Sequence, residues 1–236
     1  MKSARLVSRR NIKFNDISEP GPLRENEVLI EIKSMSICGS DILLEYDAEL
    51  PEEHYPFLHG APMHECAGVV LDSKSSKYKN GDRVIVFPEN VDGMQERIIS
   101  TSSRLIKLPS WGSLDDWVMC QPMGTALFST KKWGNPINKN IAKNEGQIIS
   151  FSLVHPDKVE FNHRQWMTKN LQLNATVAAS TSNPIQEIKE VVNLASRGWL
   201  EPGKLRSHNM KFDQMKDAFE MYRQKKDNVI KIAISF

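Results

Sequence analysis

The first 108 residues contain a series of short segments in which apolar and polar residues alternate, and this series constrains the fold more than any other feature. Alternation over a few residues is typical of a strand that is buried on one face only. The segments are separated by turns rich in glycine and proline, such as Glu19–Pro22. Short strands at regular spacing predict a small β-barrel. The predicted strands are Lys2–Val7, Ile12–Ile17, Glu27–Lys33, Glu65–Leu71, Arg83–Phe87, Glu96–Ser100 and Arg104–Leu108.

The remainder of the chain is predicted to contain helices as well as strands. Ser113 has the position of an N-cap, and Pro122 marks a new helix start. Two apolar stripes at helical spacing predict core-facing helices, the second capped by Asp213. Strands are expected at Gln147–Val154 and Leu171–Ala178, and Ile230–Phe236 should return to the barrel. The fold class is therefore mainly β with α, of the α+β type. The stripes consist of Ile185, Ile188, Val191, Val192 and Ala195, and of Met215, Ala218, Phe219 and Tyr222.

Composition excludes several classes of function. The 236 residues carry a formal net charge of +2, and the basic residues are scattered, so no nucleic-acid partner is expected. We expect no signal peptide, and no run of 18 apolar residues exists, so no membrane partner is expected either. Three cysteines are an odd number for disulfides. This usage suits a cytoplasmic protein whose cysteines have metal-binding or core roles.

Three potential zinc ligands lie on two separated segments. Cys38 follows the third predicted strand, and His64 and Glu65 begin the fourth. A thiol, an imidazole and a carboxylate are the usual side chains that bind zinc, and catalytic zinc sites leave one position open. The chemistry of single residues also allows a buried thiol and a loop histidine that never meet.

Several segments resemble the zinc-dependent medium-chain dehydrogenase/reductase family, which includes alcohol, polyol, threonine and glucose dehydrogenases. Cys38–Asp41 matches the Cys-Gly-Ser/Thr-Asp pattern of that family. His64, Glu65 and Gly68 match its Gly-His-Glu-x-x-Gly segment, with Met63 in place of the first glycine. The resemblance implies that residues 1–123 form a catalytic domain with a barrel like that of the co-chaperonin GroES. Further matches, in the same order as in the family, are Gly81–Val84, Gly93–Glu96 and Leu105–Pro109.

The resemblance also implies the metal site. Cys38, His64 and Glu65 would hold one catalytic Zn²⁺, and Glu65 in place of a second thiolate resembles the polyol type. Gln121 stands where several members have a glutamate beside the metal. It is therefore a candidate fourth ligand or outer-shell group, although a helix cap or a hydrogen bond to substrate is an equal alternative.

Other site residues follow from the same resemblance. Ser40 and Glu65 would be catalytic, with Ser40 as the hydroxyl that takes the alcohol proton. Leu43 stands where many relatives have a histidine, so the proton would leave through His54, His59 or water. The expected substrate is a small polar alcohol or sugar-type compound. Its predicted contacts are Tyr46, His54 and Tyr55.

The chain departs from the family in two places. The segment from Val86 to Gly93 has no four-cysteine lobe, so no structural zinc is expected. None of the 12 glycines forms a Gly-x-Gly-x-x-Gly turn, and a six-strand nucleotide domain has no room. Residues 124–199 are predicted to be a truncated remnant of a Rossmann domain, with the junction near 135–141. Residues 200–236 would return to the catalytic domain.

Three functions remain open at this point. The first is a zinc-dependent alcohol or polyol dehydrogenase-like oxidoreductase; NAD(P) serves the parent family, but we expect no tight binding here and assign no cofactor-binding residues. The second is a non-redox enzyme that uses zinc as a Lewis acid. The third is a pseudo-enzyme or binding module. The remnant strands have lost their sheet neighbours, and exposed edges favour pairing with another chain, so we expect a homodimer.

Overall fold

The structure is a computed structural model that describes residues 1–133, 147–151, 163–176, 183 and 185–236. The predicted junction near 135–141, and residues 152–154 and 177–178 of two predicted strands, lie outside this part of the chain. The strands are β1 (Lys2–Ser8), β2 (Asn11–Asp16), β3 (Glu27–Ser36), β4 (Glu65–Ser73), β5 (Arg83–Val86), β6 (Arg97–Thr101), β7 (Leu105–Lys107), β8 (Gln147–Phe151), β9 (Gln172–Thr176), β10 (Arg206–Lys211) and β11 (Lys231–Ser235). The α-helices are α1 (Leu114–Trp117), α2 (Cys120–Trp133), α3 (His163–Thr168), α4 (Gln186–Ser196) and α5 (Met215–Gln224).

One seven-stranded sheet organises the described part of the chain. Its order is β10-β11-β3-β4-β5-β7, and β6 pairs with the first half of β3. The predicted strands of the first 108 residues are all present, and the predicted return of the C-terminal strand is confirmed, since β11 runs antiparallel beside β3. At Gly68 the backbones of β4 and β3 lie close together; a Cβ there would meet the Glu31 carbonyl oxygen at 2.2 Å. The fold class, mainly β with α, is confirmed.

The barrel core is filled by side chains from strands that are distant in sequence. β1 and β2 form an antiparallel hairpin that covers this core together with α5. The apolar face predicted for α5 is confirmed, because Met215, Ala218 and Phe219 are fully buried. The predicted cap Asp213 is wrong: residues 212–214 form a short 3₁₀ turn, and the backbone N–H of Lys211 donates to the Gln214 side chain instead.

A second apolar cluster lies on the other face of the sheet. Helices α1, α2 and α4 pack there against side chains from β4, β5, β7 and β11. The predicted face of α4 is buried, and Gly198, with φ of +76°, follows its end. The predicted N-cap Ser113 is confirmed, since its hydroxyl accepts from the backbone N–H of Asp115 at 3.1 Å.

The described part of the predicted remnant contains one parallel strand pair. β8 and β9 pair in register from Gln147 with Gln172 to Phe151 with Thr176. The hydroxyl of Ser129 on α2 donates to that of Thr176 at 2.9 Å, which ties this pair to the helix layer. No helix in the described ranges is long and apolar enough to cross a membrane.

Candidate metal centre

The candidate centre lies where three strands of the main sheet end together. The last residue of β3, Ser36, pairs with Glu65 on β4 and with Ala233 on β11. Because both pairings are antiparallel, the chain beyond Ser36 runs past His64 on one side and toward Lys231 on the other. Sheet register alone therefore brings Cys38, His64, Glu65 and Lys231 into one neighbourhood.

Cys38, His64 and Glu65 meet at this point. One ligand atom from each side chain, a sulfur, a ring nitrogen and a carboxylate oxygen, lies within 4.8 Å of the other two. Two donors bound to one tetrahedral zinc are roughly 3.5 Å apart, so a small contraction would fit the ion. Glu65 is only 2% exposed. The donor set, its spacing and its burial fit zinc, and the alternative in which the thiol and the imidazole never meet does not hold.

Asp41 orients the imidazole of His64. Its carboxylate lies 2.9 Å from His64 Nδ1, and its other oxygen accepts from the backbone N–H of Cys38 at 2.8 Å. Nε2 of His64 can then face a metal ion. Carboxylates that bond the other nitrogen of a metal-binding histidine commonly orient the ring in this way. Burial lowers the pKa of His64, but the Asp41 charge and a hydrogen bond to Cys38 raise it well above its ordinary value.

Phe87 forms one wall beside the imidazole. Its ring centroid is 5.7 Å from that of His64. The guanidinium of Arg104 lies 5.1 Å from the centre of the same ring, and Nε of Arg104 donates to the Phe87 carbonyl at 2.7 Å. Arg104 therefore holds both the ring and the backbone of Phe87.

Lys231 neutralises Glu65 from the closing strand. Its Nζ donates to both oxygens of Glu65 and to the carbonyl oxygen of Ile37, each at 2.8 Å. Burial lowers the pKa of Lys231, but the negative charges of Glu65 and Cys38 raise it above its ordinary value. The ammonium group uses its three hydrogens in these bonds and holds the carboxylate in a fixed position.

Gln121 is placed beside the ligand strand, with both ends of its amide in use. Nε2 donates to the carbonyl of His64 at 2.9 Å, and Oε1 accepts from the backbone N–H of Cys66 at 2.6 Å. Coordination by Gln121 would use the remaining lone pair of Oε1 or break one of these bonds. The amide therefore bonds the backbone on either side of Glu65, which is neither a helix cap nor a hydrogen bond to substrate.

Ser40 precedes an uncommon helical turn. Residues Asp41–Tyr46 form a π-helix, in which the N–H of Asp47 bonds the carbonyl of Ile42 at 2.8 Å. Such turns are frequent at functional sites. The Ser40 hydroxyl makes no capping bond to this helix. The turn also carries Glu45, whose Oε2 is buried and has no hydrogen-bond partner among the described residues.

The three predicted substrate contacts lie in different surroundings. Tyr46 is 3% exposed, and its ring packs on Phe219 in the barrel core, so a substrate could reach it only after a rearrangement. His54 is exposed in a 3₁₀ turn of residues 52–54. Tyr55 is partly buried against Phe57, and in the part of the chain that the structure describes its hydroxyl has no hydrogen-bond partner. The structure does not gather the three around one cavity wall.

Two residues of the centre were missed by reasoning from sequence. Lys231 had a detectable signal, because it is a charged residue within an otherwise apolar closing strand, and buried charges are paired. The position of Glu45 carried no such signal. Its burial next to Asp41 depends on the π-turn, which the local sequence did not predict.

A known protein family matches the part of the chain that contains the candidate centre. Residues 24–125 match the family described as the alcohol dehydrogenase GroES-like domain. The matched range contains Cys38, His64, Glu65 and Gln121, and the resemblance to zinc-dependent medium-chain dehydrogenases is confirmed.

Curated relatives match over the same part of the chain. A sorbitol dehydrogenase of Bacillus subtilis is 35% identical over 92 residues, which cover 37% of this chain and 25% of that protein. An uncharacterized zinc-type alcohol dehydrogenase-like protein of Haemophilus influenzae is 37% identical over 91 residues, with the same two shares of 37% and 25%. This chain spans about a quarter of the length of these relatives.

Solved structures share the fold over the whole chain. The galactitol-1-phosphate dehydrogenase of Escherichia coli aligns with a TM-score of 0.82 and 14% identity, over 100% of both chains. The 2R,3R-butanediol dehydrogenase of Bacillus subtilis aligns with a TM-score of 0.81 and 16% identity, over 100% of this chain and 99% of that one. This chain is truncated relative to these structures.

We predict that Lys231→Met destabilises the protein strongly. The substitution removes the only cation bonded to the buried Glu65 carboxylate among the described residues, and an uncompensated buried charge costs about 3–5 kcal/mol. Urea unfolding measures the loss. The matched control is Lys204→Met, since the Lys204–Glu201 pair is 74% and 67% exposed, and it should change stability by less than about 0.5 kcal/mol. Equal effects of the two substitutions would contradict the assigned role.

We predict that Glu45 makes stability fall as pH rises. Burial and the neighbouring Asp41 charge raise the pKa of Glu45 from 4.5 to about 7, although His64 opposes the shift. The folded state therefore retains a proton that the unfolded state has lost, and stability declines between pH 4.5 and about 7. Glu45→Gln should remove this decline, so its stability relative to wild type should increase from pH 5 to pH 8.

Urea midpoints of the metal-free protein at several pH values test this expectation. Glu53→Gln, at an exposed position of the 3₁₀ turn after Pro51, serves as the control and should show a constant difference from wild type. A difference between Glu45→Gln and wild type that does not change with pH would show that the carboxyl has an ordinary pKa.

Proposed function

We propose that the chain, whose residues 24–125 match the family described as the alcohol dehydrogenase GroES-like domain, is the zinc-binding catalytic portion of an alcohol or polyol dehydrogenase. The observation that carries the proposal is the convergence of the Cys38 sulfur, a His64 ring nitrogen and a Glu65 oxygen within 4.8 Å. These are zinc-binding donors, and three protein ligands with one open position are typical of catalytic zinc.

The roles of the surrounding residues follow from their bonds. When bound, zinc would supply a Lewis acid that polarises an alcohol oxygen. Asp41 holds the imidazole in the orientation that ligation needs, and Lys231 keeps Glu65 in place with a neutralised charge. Ser40, which precedes the π-turn and makes no capping bond, remains the proposed hydroxyl for proton removal. We do not include Tyr46 in the substrate contacts, because its side chain belongs to the core.

We also propose a class of substrate, a division of the chain into parts and weak binding of NAD(P). The relatives include a sorbitol dehydrogenase and a galactitol-1-phosphate dehydrogenase, which favours a small polar alcohol or sugar-type substrate. We propose three parts, namely a catalytic domain at 1–123, a shortened nucleotide-domain remnant at 124–199 and a C-terminal return at 200–236. A sequence without a phosphate-binding glycine turn should not bind NAD(P) tightly.

Metal analysis tests the central proposal. Protein purified without chelator should contain about one zinc per chain, and the chelated protein should rebind zinc or cobalt with a one-to-one stoichiometry. Cys38→Ala should weaken metal binding at least about 100-fold, because it removes a ligand. Cys120→Ala is the matched control, since Cys120 is buried in the helix layer and is not one of the clustered ligands.

Two outcomes separate the parts of the proposal. Absence of zinc both before and after reconstitution, or equal effects of the two cysteine substitutions, would reject the metal centre. Saturable binding of NAD or NADP to the zinc-loaded chain, measured by calorimetry, would leave the centre intact and reject the proposed loss of the nucleotide site.

We also propose that the chain forms a homodimer through the β8–β9 pair. The two strands pair with each other and with no other described strand, which leaves backbone edges able to pair with a second copy. Sedimentation velocity should show a dimer at micromolar concentration. Gln172→Lys, which adds a charge to β9, should shift the protein toward monomer, whereas Gln186→Lys at the exposed start of α4 should not. A monomer at every concentration would contradict the proposal.

A further inference from the structure

A row of cationic side chains crosses three adjacent backbone segments on the hairpin side of the barrel. Arg5 lies on β1, and Lys13 is its direct cross-strand partner on β2. On the other side of β1, the N–H of Phe57 bonds the Leu6 carbonyl at 2.9 Å, and the N–H of Gly60 bonds the Ala4 carbonyl at 2.8 Å. These two bonds bracket Arg5 and bring His59 alongside it. The order across the three segments is therefore Lys13, Arg5, His59.

The polar atoms at the centre of this row have no hydrogen-bond partner in the described ranges of the chain. Nε of Arg5 and Nδ1 of His59 are both buried there without a hydrogen bond, and so is the hydroxyl of Tyr55 in the same loop. Burial lowers the pKa of His59, and the nearby Arg5 charge lowers it further. Within the described residues, neither Arg5 nor Lys13 is paired with a carboxylate.

This arrangement is unfavourable unless an anion is bound. Like charges directly opposite each other on neighbouring strands destabilise a sheet, and buried N–H groups without acceptors are rare in folded proteins. A tetrahedral oxyanion carries several acceptor oxygens and a compensating charge. Arginine binds such groups with short, charge-assisted hydrogen bonds.

We propose that Lys13, Arg5 and His59 form a binding site for a small oxyanion, of the phosphate or sulfate class. Arg5 would be the central donor, His59 would close the site from the loop that leads to His64, and exposed Lys13 would contribute charge. The site goes beyond the proposed dehydrogenase function and does not depend on zinc, because none of the three residues belongs to the metal cluster.

Calorimetric titration with sulfate and with inorganic phosphate, at constant ionic strength set with chloride, tests the site. Saturable one-to-one binding is expected for the wild-type chain. Arg5→Gln should weaken it roughly 10- to 100-fold, because hydrogen bonds to charged groups are lost. Arg24→Gln, which makes the same charge change at an exposed position in the loop before β3, should leave binding unchanged. An Arg24→Gln effect as large as that of Arg5→Gln would indicate general charge attraction and overturn the proposal.

A second pair of measurements guards against misfolding and tests His59. Arg5→Lys keeps the charge, so it should fold and retain weakened binding even if Arg5→Gln does not fold.

Sulfate keeps its charge between pH 6 and pH 8, and protonation of His59 beside Arg5, Lys13 and Tyr55 should make sulfate bind several-fold tighter at pH 6. His59→Gln should lose this dependence. Unchanged affinity in both Arg5→Lys and His59→Gln, or no saturable binding by the wild type, would show that water alone occupies the site.

Discussion

The pairing of β3 with β4 is the constraint on which the candidate centre depends. Its register sets Ser36 opposite Glu65, so that the chain beyond Ser36 carries the ligand Cys38 past His64. A slip of one residue would turn every side chain of β4 to the opposite face and would separate the sulfur from the imidazole. The buried apolar residues of β3, which fill the barrel core, hold this register. Core packing and metal geometry are consequently specified by the same pair of strands.

The C-terminal strand completes the centre by supplying its cation. A carboxylate as buried as Glu65 would be expensive to ionise alone, and Lys231 on β11 compensates it with bonds to both oxygens. The partners are separated by 166 positions in the chain. Because β11 pairs with β3 on the side opposite β4, the sheet has to close before the charges can meet. The ion pair between Glu65 and Lys231 therefore requires the C-terminal strand as well as the strands of the barrel.

Sequence reasoning succeeded where the signal was local and failed where it depended on tertiary neighbours. Alternation located the strands, and the apolar face of α4 was visible in its spacing. The cap at Asp213 was wrong because a 3₁₀ turn shifts the helix start to Met215. Lys231 and Glu45 acquire their importance from groups that sheet closure and a π-turn bring to them. The ligand triplet could be named in advance only because two short segments resemble a known pattern.

The side chains of two of the three proposed ligands are each held by a charged partner from the protein. Asp41 fixes the imidazole of His64, and Lys231 fixes the carboxylate of Glu65. The Gln121 amide ties α2 to the backbone on both sides of Glu65, which restrains the strand that carries two of the ligands. A site whose ligands are positioned by packing and hydrogen bonds loses little conformational entropy when it binds an ion. The geometry of this centre is therefore set by the surrounding protein before an ion binds.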